Sequence, residues 1–186
     1  MDDPAFFGYG SLVNLGTHDY PNARRARVSG WRRVWRHTDL RPLAYLSVEP
    51  AVGVTIDGIT ASVPGGDWAA LDAREAAYAR HDTLAEEHGL GTARTVQIYA
   101  VPVPQTPVAS EHPILLSYLD VVLQGYLQQF GEPGVAAFIE TTAGWQAGVL
   151  NDRRAPVYPR HRVLDSAERS VVDGVLAQLA VPVEKL

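Results

Sequence analysis

The apolar pattern changes character about a third of the way along the chain. Ahead of residue 64 it runs in short stretches rich in β-branched and aromatic residues, which predict strands. These are Ala5-Phe6-Phe7, ending in a glycine turn; "RVSGWRRVWRH" over 27–37, with Gly30 as a bulge; and 43–48 and 52–63, with Asp57-Gly58 as a hairpin turn. From Asp67 to about Glu87 the chain is alanine-rich with spacing near 3.6, which predicts a helix at least in its first half. "RTVQIYAVPV", 94–103, returns to strand, and the four prolines between Pro102 and Pro113 predict a surface loop. A second helix is expected over 113–130, with Pro113 in its first turn and Gly131 after its end, and a third over 132–142. The last is expected over 164–179, where Asp165 and Glu168 have the spacing of a capping box. No repeat, low-complexity segment or linker interrupts this order, so 1–186 reads as one domain. Strands first and helices later argue for an α+β fold, a sheet or small barrel packed by helices.

Composition narrows the classes of function. The 186 residues are 46% hydrophobic and 20% charged, enough for a packed core and too apolar for a disordered chain. A net charge of -5 argues against general affinity for nucleic acid or anionic lipid. The absence of cysteine removes disulfides, thiolate catalysis and cysteine-ligated metals. The acidic start and the break of the first apolar run at Gly8 differ from a secretory signal, and no run is long enough to span a membrane. A cytoplasmic protein is the expectation. The sixteen basic residues are all arginine except Lys185, which reads as genomic bias.

The first candidate for chemistry is "AFFGYGSLVN", residues 5–14. Gly8-Tyr9-Gly10 opens like a dinucleotide fingerprint, but Val13 stands where the third glycine belongs and the following region is arginine-rich rather than acidic. A nucleophile elbow at Ser11 would need glycines where Tyr9 and Val13 stand, and no Gly-Lys-Ser/Thr follows. Two readings remain: a plain turn, or a nest of backbone N–H groups that binds a carboxylate or an oxyanion.

The second candidate is "DWAALDAREAAYAR", 67–80. At helical spacing Trp68, Leu71, Glu75 and Tyr78 share one stripe, so a carboxylate falls on a core-facing line. Burial there would raise its pKa and suit it to proton transfer. Arg74 would point about 100° away, a poor partner. The competing reading is a structural ion pair with Arg32 or Arg33 from the β half.

Together the two candidates resemble the γ-glutamylcyclotransferase family. Its Tyr-Gly-Ser-Leu loop after the first strand is matched by Tyr9-Gly10-Ser11-Leu12, and its glutamate in a Leu-Asp-x-x-Glu context by Leu71-Asp72-Ala73-Arg74-Glu75. A tyrosine follows at Tyr78, nearer to the glutamate than in several members. "GWRRVW", 30–35, is similar to the family's Gly-aromatic-Arg-Arg strand, and 53–64 to the strand leading into the glutamate's helix. The likeness covers roughly the first 100 residues well and the rest loosely. It implies a small mixed β-barrel flanked by helices, and cyclisation of a γ-glutamyl amide to 5-oxoproline with release of an amine, without metal or organic cofactor. It implies Glu75 as general acid/base, and Tyr9, Gly10, Ser11, Leu12 and Tyr78 as substrate-binding residues. A non-catalytic γ-glutamyl-binding protein of the same fold is the alternative.

The remaining features carry less. Residues 24–41 hold seven arginines and two tryptophans, which a nucleic-acid-binding strip would share, but strand alternation and the overall charge favour a solvated sheet face. The six histidines show no metal spacing; His81 and His88 are expected at a solvated helix end. "NDRRAPVYPRH", 151–161, suits either a cavity wall or an ordered surface loop.

Overall fold

The computed structural model describes residues 3–38, 40–102 and 112–185. Five strands close into a mixed barrel: β1 (Ala5–Gly8), β2 (Arg24–Arg36), β3 (Tyr45–Ser62), β4 (Ala79–Glu87) and β5 (Ala93–Ala100). Their order is β3-β1-β5-β4-β2, and β2 pairs back onto β3 to complete the ring. Only β1 and β5 run parallel within the ring. β1 is buried along its whole length, as its Ala-Phe-Phe run predicts, and is the central staff on which β3 and β5 hang.

A short helix α1 (Ala69–Arg74) leaves the end of β3. After β5 come β6 (Ile114–Leu115), the long α2 (Leu116–Glu140), β7 (Thr142–Ala143), β8 (Val149–Asn151), α3 (Ser166–Leu179) and β9 (Val183–Lys185). β7 extends the barrel sheet beside β2, while β6, β8 and β9 form a second, wholly parallel sheet. α2 packs its first half into the core through Leu116, Leu119, Val122, Leu123 and Tyr126. The fold is therefore α+β, a small mixed barrel with three helices against it.

Several elements follow the pattern closely. The register between β2 and β3 slips between Ser29 and Trp31, at Gly30, whose φ is +84°. Facing it, residues 51–54 of β3 supply the surplus length around Gly53. α2 breaks at Gly131, with φ +68° and ψ -169°, so its two limbs are the two expected helices. Asp165 and Glu168 do form the capping box of α3.

Four expectations are corrected. Asp57-Gly58 is not a hairpin turn: β3 runs straight through it, with Gly58 opposite Ala26. Glycine is needed there for close approach, since a Cβ would sit 2.3 Å from the Gly8 carbonyl oxygen. The helix expected from Asp67 ends at Arg74, and 79–87 is strand. Alanine's helical preference yields because β4 must pair with both β5 and β2 to close the barrel. His81 therefore lies on a strand, and His88 just after it. Pro113 precedes β6 instead of opening α2, its carbonyl accepting from Ala44 N–H. The proline loop between Pro102 and Pro113 falls almost wholly outside the described residues.

The arginine-rich strand is mostly the paired, exposed face expected of it: Arg27 meets Glu86, and Arg32 and Arg36 both meet Glu49. Arg33 is the exception. It is 1% exposed and none of its partners is a carboxylate among the described residues. Its Nε donates to the Tyr9 carbonyl (3.2 Å), Nη1 to Thr141 Oγ1 (2.7 Å), and Nη2 to the Asp57 carbonyl and to Tyr126 Oη (2.5 Å). The rings of Tyr126 and Phe138 each lie 5.0 Å from its Cζ. Removing it strands several buried acceptors at about 1–3 kcal/mol apiece. Arg33→Met is expected to lower the unfolding free energy by about 3 kcal/mol or more, read from urea denaturation; a loss under about 1 kcal/mol would mean those acceptors find other donors.

Candidate active site

The turn after β1 is organised by what holds its carbonyls. The Tyr9 carbonyl accepts from both Arg33 and Tyr126 Oη (2.9 Å). In a trans peptide the N–H points opposite to the C=O, so the Gly10 N–H is aimed away from Arg33. The Gly10 carbonyl in turn accepts from Val13 N–H (3.0 Å), winding Ser11–Val13 into a single 3-10 turn. The Gly10 and Ser11 amides donate to no backbone carbonyl among the described residues. Gly10 is required by contact: a Cβ would lie 2.8 Å from the hydroxyl of Tyr118.

Glu75 is the residue at which α1 stops. Its N–H still bonds to the Leu71 carbonyl (2.9 Å), but its φ and ψ of -101° and 31° turn the chain out of the helix. That turn overturns the expectation for Arg74. Outside regular helix the two neighbours are no longer 100° apart, and Arg74 Nε lies 3.2 Å from Glu75 Oε1. Arg74 also donates to Ser11 Oγ (3.2 Å) and to the Thr17 carbonyl (2.9 Å), tying the carboxylate to the glycine turn. Arg32 and Arg33, the partners weighed from sequence, bond elsewhere.

The Glu75 side chain is 15% exposed. Burial pushes its carboxyl above the ordinary range, and Arg74 and Arg160 pull it only part of the way back. Tyr9, Tyr78 and Tyr118 are held protonated beside it, burial raising each phenol well above its usual value. The Tyr9 hydroxyl donates to the Tyr99 carbonyl (2.5 Å) and that of Tyr78 to the Leu46 carbonyl (2.9 Å). Tyr118 is fixed by its ring, edge-on to Trp35 and Tyr158. Its hydroxyl is hydrogen-bonded by the Ser11 backbone, which pulls the phenol part of the way back down.

Two spaces share Ser11, Leu46, Glu75, Tyr78 and Tyr118 as walls. An inner recess of about 30 Å³, room for one small polar group, is lined by all six residues singled out from sequence: Tyr9, Gly10, Ser11, Leu12, Glu75 and Tyr78. Phe7, Gly8, Leu46, Tyr99 and Tyr118 complete it. An outer cavity of about 300 Å³ opens from Ser11, Glu75, Tyr78 and Tyr118 toward Arg41, Tyr158 and Arg160. The segment 151–161 is thus a cavity wall in part. Sequence reading missed Tyr118 and Arg41, while Arg160 lies in the 151–161 segment that it offered as a cavity wall. Tyr118 is one apolar-looking position in a helix, and only the packing of α2 across the barrel brings it to the turn. No group of three or more His, Cys, Asp or Glu side chains that could hold a metal occurs among the described residues. No helix among them is long and apolar enough to cross a membrane.

No protein-family model matches the chain, and no curated protein matches it by sequence. Solved structures do. A gamma-glutamyl cyclotransferase aligns over 92% of this chain and 98% of its own at 12% identity, with a TM-score of 0.59. An uncharacterised protein from Homo sapiens aligns over 93% and 99% at 12% identity, TM-score 0.57. YkqA from Bacillus subtilis aligns over 77% of this chain and 57% of its own at 17% identity, TM-score 0.57. The chain has the γ-glutamylcyclotransferase-like fold.

The raised Glu75 pKa has a measurable consequence for stability. A carboxyl that ionises less readily when folded supports the fold fully below its unfolded value, about 4.3, and less as pH rises through its folded value. A neutral amide escapes that loss. Glu75→Gln is therefore expected to match the wild-type melting temperature near pH 4 and to exceed it increasingly toward pH 7. A melting-temperature difference that stays flat over this range would contradict net burial as the dominant influence on Glu75.

Proposed function

We propose that the protein is a cytoplasmic γ-glutamylcyclotransferase that converts a γ-glutamyl amide to 5-oxoproline and a free amine, with no metal or organic cofactor. The observation that carries the reading is the placement of a largely buried carboxylate, Glu75, on the same recess as the Gly10 and Ser11 amides of the glycine turn. The substrate's own α-amino group is the nucleophile, which is why no serine or cysteine nucleophile is required. It arrives as an ammonium; Glu75 accepts its proton, and the amine attacks the γ-carbonyl carbon. Attack leaves two hydrogens on the ring nitrogen; as the C–N bond to the leaving amine breaks, Glu75 returns the first proton to that amine and then relays the second from the ring nitrogen to it, so the lactam keeps one N–H and the amine departs as an ammonium. Atoms balance without water.

The Gly10 and Ser11 N–H groups are the donors for the glutamyl carboxylate or the developing oxyanion, with Tyr9 and Leu12 shaping the turn that presents them. Tyr118, protonated and beside the same amides, is a further donor to the oxyanion. Tyr78, anchored to Leu46, sets the recess wall and so helps fold the substrate until its ends meet. The partner is a small molecule, not nucleic acid or a membrane: the exposed arginines of β2 are largely matched by glutamates. A second reading, a γ-glutamyl-binding protein without turnover, is favoured by the Arg74–Glu75 ion pair, which opposes the proton affinity a base needs.

A panel of γ-glutamyl compounds read by 5-oxoproline release tests the activity. Glu75→Gln is expected to cost at least 10²–10⁴-fold in kcat while ligand-induced thermal shift persists. Near wild-type turnover by this variant would make Glu75 structural, and a wild type that binds without releasing 5-oxoproline would establish the second reading. Tyr118→Phe is expected to lower kcat by about 10²-fold with a smaller change in KM, because an oxyanion donor acts chiefly in the transition state. An unchanged kcat would remove Tyr118 from that role.

A further inference from the structure

We propose that Asp152 is the positioning residue for Tyr118: it clasps the first turn of α2 and so holds the Tyr118 hydroxyl against the glycine turn. The catalytic part of this rests on the reading of Tyr118 as a donor to the oxyanion. Asp152 is 1% exposed, and its carboxylate accepts from Ser117 N–H (2.8 Å), Ser117 O–H (2.5 Å) and Val157 N–H (2.8 Å). None of these donors is charged. A carboxylate this far from water is costly unless all its donors stay in place, so it resists any shift of Ser117, the residue before Tyr118.

The first turn of α2 needs that hold. Leu115, which precedes the helix, is extended (φ -69°, ψ 127°), and its apolar side chain cannot cap the open N–H groups of the first turn. Asp152 supplies the missing cap from 35 residues further along the chain, accepting the N–H that a local capping side chain would take. Leu119, Val122, Leu123 and Tyr126 fix the body of α2 in the core. Tyr118 lies in the one turn whose own backbone bonds are incomplete.

The clasp reaches Tyr118 from two further directions. Ser117 Oγ accepts from Tyr158 N–H (3.2 Å), and the Tyr158 ring lies edge-on to Tyr118 at 5.0 Å. Arg153, next to Asp152, grips the Asp120 carboxylate with Nε (2.8 Å) and Nη2 (2.6 Å), and holds Asp173 of α3 with Nη1 (2.6 Å). Consecutive residues of one segment thus seize Ser117 and Asp120, which flank Tyr118 in sequence. The far end of the side chain has little freedom: a Cβ on Gly10 would meet the Tyr118 hydroxyl at 2.8 Å, and Trp35 stands edge-on to the ring at 6.0 Å. A small rotation of the first turn therefore carries the hydroxyl off the Ser11 backbone to which it is bonded.

The test uses Asp152→Asn, which keeps the shape but leaves one acceptor oxygen of the two, and Ser117→Ala, which keeps the carboxylate and removes only its hydroxyl link to Tyr158. With γ-glutamylglycine, Asp152→Asn is expected to lower kcat by about tenfold at nearly unchanged KM, because a misplaced donor is felt chiefly in the transition state. Added to Tyr118→Phe, the same substitution is expected to cost less than about twofold more, since a residue that acts through the hydroxyl has no effect once the hydroxyl is gone. An unchanged kcat, effects that multiply, or a rise in KM alone would overturn the assignment. Ser117→Ala, the milder change, is read by the same cycle if Asp152→Asn does not fold. A spectroscopic arm needs no turnover. In protein isotopically labelled at tyrosine Cζ, both substitutions are expected to shift the Tyr118 resonance, assigned by its loss in Tyr118→Phe, and to leave that of Tyr126 on the same helix in place. An unmoved Tyr118 resonance, or equal shifts of the two, would overturn the clasp. If no γ-glutamyl compound yields 5-oxoproline, the cyclisation reading fails by itself, and the two resonances decide whether Asp152 positions Tyr118.

Discussion

A guanidinium with almost no access to water, and no carboxylate partner among the described residues, holds the centre of this protein. Arg33 must recover in hydrogen bonds and ring contacts what it loses in hydration. It does so by gathering four separate parts of the chain: the Tyr9 carbonyl at the glycine turn, the Asp57 carbonyl in β3, the Tyr126 hydroxyl in α2, and the Thr141 hydroxyl at the end of α2. Each acceptor is itself buried or partly buried, so the cost of losing any one partner is shared by the rest. The barrel, the long helix and the turn are consequently locked to one another at a single charged group.

That lock sets the chemistry of the site. Because the Tyr9 carbonyl is drawn toward Arg33, the Gly10 N–H is turned the other way. Because Tyr126 anchors α2 at the same point, Tyr118, two turns earlier on that helix, is carried to the Gly10 and Ser11 backbone. Glu75 is brought in from the opposite side by the early end of α1, and Arg74 ties it to the turn through Ser11. The Glu75 carboxylate is thus largely buried and paired with Arg74, and it faces phenols that burial keeps protonated.

How much of this could be read in advance differed by element, for physical reasons. β1, the Gly30 irregularity, the break at Gly131 and the capping box of α3 depend on neighbours in sequence: burial of a short apolar run, a positive φ, a side chain reaching three residues on. Asp57-Gly58 misled because the dipeptide that favours a turn also serves where two backbones nearly touch, and only the partner strand distinguishes the two. The 79–87 segment misled because alanine and glutamate favour a helix, while closing the barrel needs a strand there and the pairing energy of two neighbours outweighs the local preference.

The sequence by itself determined that Tyr9 to Leu12 and Glu75 were the residues to watch, since a glycine turn after a buried strand and a carboxylate among apolar neighbours are local features. It determined as well the α+β class, from the order of its periodicities. Only the tertiary structure decided that the two features meet, that Arg74 and not Arg32 or Arg33 is the ion-pair partner of Glu75, and that Arg33 is buried rather than solvated. It alone brought Tyr118, Arg41 and Arg160 to the same cavity. These are contacts between residues tens of positions apart, or between neighbours whose relative direction depends on where a helix stops. Such contacts are set by barrel closure and burial, not by any property of the residues taken one at a time.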